Sequence, residues 1–148
     1  MTGMWGHGWS AAQIAEWFDK YGAIIIEYAK LAEQTGVNAF HIGHELHTML
    51  TNAANEPHWR RLIRQVRAVY RGNVSVAFNG NPIFDDMDRN GVPWIDDLDF
   101  IGLDCCTSFP FLHFPIELLT RCILLTCRLA HLYRPQLTVT FLGSGHGR

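Results

Sequence analysis

One carboxylate stands out by its setting. Glu45 lies in the run His41-Ile42-Gly43-His44-Glu45-Leu46-His47, directly after an apolar stretch that ends in glycine. A carboxyl at the end of a buried segment is partly stripped of water, which suits general acid/base work. A helix-capping or ion-paired surface glutamate would show the same local pattern. The three histidines around it also suggest a metal. Their spacing is H-E-x-H, however, and not the H-E-x-x-H that puts two imidazoles on one helix face. Only an unbroken extended segment would align His41, Glu45 and His47, and no metal is assigned here.

A second group is rich in oxygen ligands. Residues 86–97 read DMDRNGVPWIDD, close to an EF-hand calcium loop. Asp86, Asp88 and Asn90 occupy ligand positions, and Gly91 supplies the sharp turn. Asp97 stands where a bidentate glutamate belongs. Pro93 replaces the usual packing aliphatic, and no clear helix precedes the loop. A plain acidic turn fits as well. The calcium reading therefore stands as an alternative, a non-enzymatic calcium-binding α/β module. The four cysteines, Cys105, Cys106, Cys122 and Cys127, form no C-x-x-C pair, so they read as incidental or buried thiols.

These residues need elements to hold them. Ser10 and Gln13 form a capping box. Behind them Ile14, Trp17, Phe18, Tyr21, Ile25, Tyr28 and Leu31 make an apolar stripe at helical spacing, with Glu16 and Lys20 paired on the wet face. The pattern predicts a helix over 11–35, ended by Gly36. Residues 37–43 predict a short buried strand. Asn55 and Pro57 start a second helix with the stripe Trp59, Leu62, Ile63, Val66 and Tyr70. Its arginines, Arg60, Arg61, Arg64, Arg67 and Arg71, read as a solvated face. Residues 74–78 and 98–103 predict two further strands. Strands alternating with amphipathic helices predict right-handed βα units and a parallel sheet. Function in such sheets sits at the carboxyl ends of the strands, which here means Gly43–His47, Phe78–Asn81 and Leu103–Cys106.

Charge and composition narrow the classes. The 148 residues carry 12 Lys+Arg and 14 Asp+Glu, so there is no basic excess to attract nucleic acid. The apolar stretch from Phe109 to Tyr133 carries Glu117, Arg121 and Arg128 and begins with two prolines. That makes a membrane span a poor reading. No signal peptide is legible. Residues 1–106 hold 13 acids against 8 bases, net −5, whereas 107–148 hold one acid against four arginines, net +3. This shift marks the main boundary. The tail follows no clear pattern and reads as atypical, either out-of-frame or disordered.

Three runs now combine: WFDKYGAIIIEYAKLAEQTGVNAFHIGHEL, WRRLIRQVRAVYRGNVSVAFNG and WIDDLDFIGLD. In this order they resemble the middle of a TIM-barrel retaining glycoside hydrolase, most like the endo-β-mannanase-like family 113. The resemblance covers about residues 9–105. It implies an α/β fold, a partial (β/α)8 barrel of about three strands and their helices, followed by the irregular tail. It implies that Glu45 is the general acid/base, with His44, Asn79, Trp94 and Asp104 binding an oligo- or polysaccharide such as mannan, although a core or loop-packing role fits Trp94 better than a sugar platform. It implies no cofactor. A retaining mechanism also needs a second carboxylate about 5 Å from the first. The only acid after Asp104 is Glu117, which lacks the surrounding family motif. No nucleophile is assigned, and the chain is expected to be a fragment with little or no catalysis by itself.

Overall fold

The computed structural model describes residues 6, 8–79, 92–104 and 138–142. The chain opens with α1, Ala11–Thr35, capped as the sequence predicts. The Ser10 hydroxyl accepts from the Gln13 amide, and the Gln13 side chain accepts from the Ser10 amide. Gly36 ends the helix in the left-handed conformation, φ 70°, which costs glycine nothing. The predicted Glu16–Lys20 pair forms at 2.7 Å.

Four parallel strands follow in sequential order: β1 (Ala39–His44), β2 (Asn73–Asn79), β3 (Phe100–Asp104) and β4 (Thr138–Leu142). Parallel neighbours require crossovers. Between β1 and β2 the crossover is a short helix α2 (His47–Thr51), a 3-10 turn at Ala53–Asn55 and the helix α3 (Glu56–Arg67). The fourth strand lies within the tail, where the sequence pattern predicts no element.

The core fills the space between the sheet and the two long helices. Ile42, Val74, Val76, Phe78 and Ile101 from the strands are buried, with Phe18, Ile25 and Ala29 from α1 and Trp59, Leu62, Ile63 and Val66 from α3. Each large apolar side chain contributes about 1.5–3 kcal/mol when fully buried. Aromatic rings tie the layers together. Trp59 meets Phe18 edge-on at 5.1 Å and stacks on Trp94 at 4.9 Å.

Arg61, Arg64 and Arg67 of α3 and the following Arg71 lie on an exposed face, as the pattern predicts, whereas Arg60 is half-buried and ties the helix to its neighbours. Arg60 bonds Glu56 at 2.8 Å, Asp96 at 2.9 Å and Asp97 at 2.8 Å, and donates to the Pro93 carbonyl at 2.6 Å. Burial opposes its charge, but hydrogen bonds to Glu56, Asp97 and Asp96 outweigh that and hold the guanidinium more firmly protonated. Arg61 reaches Asp19 on α1, and Arg67 reaches Asp99. Helical periodicity places these residues on the outer face. It cannot show that neighbouring elements bring acids to meet them.

Among the described residues, no helix is long and apolar enough to cross a membrane.

Candidate active site

Strand register gathers most of the sequence-marked residues at one end of the sheet. His44 pairs with Ala77 near the end of β1, and Asn79 pairs with Asp104 at the ends of β2 and β3. Glu45 is the next residue after β1. Its amide donates to the Ala77 carbonyl at 3.0 Å. Glu45, His44, Asn79 and Asp104 therefore share the carboxyl end of the parallel sheet, where loops carry chemistry in this class of fold.

The turn at Glu45 is made by Glu45 itself. Its φ is +51°, and among the described residues it is the one non-glycine with a positive φ. That region disfavours a residue with a Cβ. The glycine at position 43 suggests itself as the residue that lets the chain turn, but the positive φ falls two residues later. A Cβ added at Gly43 would lie 3.4 Å from Trp59 Cη2 and 3.5 Å from Leu50 Cδ2. These are ordinary contact distances, so packing against α2 and α3 does not by itself demand glycine there.

Just before the turn, β1 bulges. His41 pairs with Ser75 and His44 with Ala77, so three steps on β1 match two on β2. Bulges of this kind re-aim the following residue. The bulge is held on the helix side, where the Tyr21 hydroxyl donates to the Ile42 carbonyl at 2.9 Å. Burial pushes the Tyr21 phenol up to about 12. Beyond the turn, the Met49 carbonyl accepts two buried donors, Asn55 Nδ2 at 3.0 Å and Trp59 Nε1 at 2.8 Å. Asn55 does not cap α3 as its position suggests. Its side chain turns inward and makes no cap hydrogen bond. None of these supports is visible in the sequence as such, although Tyr21 and Trp59 do belong to the predicted apolar stripes.

Of the two roles open to Trp94, the structure shows the core one. As a candidate sugar platform it would need an open face, but it is fully buried and stacked on Trp59. It is a core residue. Asp97 faces the Arg60 guanidinium, and a cation there would have to displace that charge. Asp86, Asp88 and Asn90 lie outside the described residues. Among the described residues no three His, Cys, Asp or Glu side chains come close enough to hold a metal.

Residues 7–118 match the model of Glycoside Hydrolase Family 113. The chain belongs to glycoside hydrolase family 113. None of the curated proteins matches it. Solved structures of the same family are similar. One is the family 113 β-mannanase of Alicyclobacillus acidocaldarius in complex with ManMIm, 24% identical with a TM-score of 0.63, covering 86% of this chain and 35% of that one. Another family 113 β-1,4-mannanase is 26% identical with a TM-score of 0.59, covering 86% of this chain and 35% of that one. A complex of a family 113 β-1,4-mannanase is 28% identical with a TM-score of 0.61, covering 77% of this chain and 33% of that one. This family 113 chain thus spans about a third of the length of these structures. Its sheet and helices are part of a TIM barrel.

Proposed function

We propose that this chain carries the acid/base part of a retaining β-mannan hydrolase. Glu45 would protonate the departing glycosidic oxygen and then take a proton from the incoming water. His44, Asn79 and Asp104, on the same rim, would bind sugar hydroxyls. The single observation that carries the reading is the placement of Glu45. It directly follows a parallel strand, at the carboxyl end of the sheet, in a backbone conformation that glutamate rarely adopts. Family membership and the similarity to β-mannanase structures support the substrate class.

Retention requires a nucleophilic carboxylate about 5 Å from the acid/base. No residue of this chain is assigned to that role. The 148 residues alone are therefore expected to show little or no turnover. Joined to the remaining βα units of a family 113 barrel, they are expected to release reducing ends from β-1,4-mannan with anomeric retention. Glu45→Gln should then lower kcat by about 10²–10⁴-fold. Undiminished turnover in that variant removes Glu45 from the mechanism.

A further inference from the structure

The end of β1 is a place where the chain has an alternative. A bulge carries one residue more than its partner strand, and that residue sits outside the regular ladder. Slippage by one position would straighten the ladder and move every following side chain to the other face. Glu45 would also leave its left-handed conformation, which a residue with a Cβ favours leaving. Something must hold the bulge against both tendencies.

Tyr21 is placed to do so. It reaches the bulge from α1, 21 residues away in sequence, and its hydroxyl donates to the Ile42 carbonyl at 2.9 Å. The ring has little freedom. It stacks on Trp17 at 4.4 Å with planes 12° apart and meets Trp59 edge-on at 6.4 Å. The stripe of α1 asks only for an apolar ring at this position, and phenylalanine would satisfy it. The hydroxyl adds a fixed donor aimed into the bulge. On the β2 side, the Glu45 amide closes the same turn on the Ala77 carbonyl at 3.0 Å.

We propose that Tyr21 is a positioning residue for Glu45: through the Ile42 carbonyl it locks the bulge, and so the left-handed turn that presents the carboxylate. The catalytic half of this statement rests on the reading of Glu45 as the acid/base. The structural half does not.

Hydrogen exchange on the 148-residue chain tests the structural half. Tyr21→Phe is expected to leave the far-UV circular dichroism unchanged and to speed exchange of the Glu45 amide about ten-fold. The amides of Val76 and Ala29 should keep their rates. An unchanged Glu45 amide, or equal acceleration of all three, overturns the proposal. A second background sharpens the test. Glycine holds a positive φ without strain, so in Glu45→Gly the loss of the Tyr21 hydroxyl should speed exchange at position 45 far less. Equal acceleration in both backgrounds overturns the proposal. In a completed barrel where Glu45→Gln silences turnover, Tyr21→Phe should lower kcat about ten-fold and leave KM unchanged. An unchanged kcat overturns the positioning role. Turnover that survives Glu45→Gln strikes the acid/base reading and leaves the exchange result standing.

Discussion

β1 is flanked by two left-handed residues, and they are of opposite kinds. At its amino end Gly36 takes φ 70°, and at its carboxyl end Glu45 takes φ 51°. The amino end is built from low-cost parts. Tyr70 donates to the Val37 carbonyl at 2.8 Å, and the Asp99 carboxylate accepts from the Val74 amide at 2.7 Å and from Arg67 at 3.0 Å. Gly72 leaves room for the Tyr70 hydroxyl, which any Cβ there would strike. The carboxyl end places a carboxylate where glycine would be more stable, and surrounds it with a bulge and buried supports. The asymmetry runs in the direction that parallel α/β folds generally show, with stability at the amino ends of the strands and chemistry at the carboxyl ends.

The largest expected effect falls on the supports of the carboxyl end. Trp59 is fully buried, packs beside Gly43, stacks on Trp94 and donates to the Met49 carbonyl. Trp59→Ala should cost about 3–5 kcal/mol, read as a fall in the urea midpoint. A cost near that of a surface substitution would mean that this end is not held through α3.

Alkaline titration comes next. The Tyr21 phenol is raised from its ordinary value of 10.0 to about 12 by burial, so the folded state keeps a proton that the unfolded chain releases earlier. The associated stability is complete below about pH 10 and is lost as pH rises from there to about 12, at most about 3 kcal/mol. Tyr70, raised by burial and then by Glu33 and Asp99, adds in the same direction at the other end. Melting temperature followed over this pH range should fall less steeply in Tyr21→Phe. Identical slopes would show that Tyr21 is not desolvated at the bulge.

Asp99 tests the amino end. Asp99→Ala removes an acceptor from the Val74 amide and a partner from Arg67, at an expected cost of about 1–3 kcal/mol. The Glu45 amide should keep its exchange rate, because the effect belongs to the opposite end of the strands. Acceleration at Glu45 would mean that the two ends are not independent.

Most of this frame is legible in the amino-acid sequence. The capping box, the stripe of α1, Gly36 and the strand–helix alternation are local signals, and each forms in the fold. The place of Glu45 just after a parallel strand is legible from the strand–helix alternation. The partners of Trp94 and of Arg60 are not legible, for one shared reason. Their roles depend on which elements meet across space, and a helical or turn pattern carries no information about that. Gly43 is a finer case. A glycine before a turn can signal a positive φ, a close approach or neither, and sequence cannot separate these. The bulge leaves no local mark because it exists only relative to the register of β2.

The finest test of the two ends is a pair of substitutions with opposite signs. Gly36→Ala places a Cβ at φ 70° and should destabilise by about 1 kcal/mol. No atom lies within 4 Å of that Cβ, so the cost is conformational and not steric. Glu45→Gly relieves the same kind of strain and should raise stability, by less than about 1 kcal/mol, because glycine also loses more chain entropy on folding. Parallel chemical denaturation of the two variants gives the signs directly. If both destabilise, the glutamate is at ease in its turn, and the carboxyl end carries no strain for chemistry to justify. If the signs differ as expected, the residue at position 45 is set by what its carboxylate does and not by what the fold prefers.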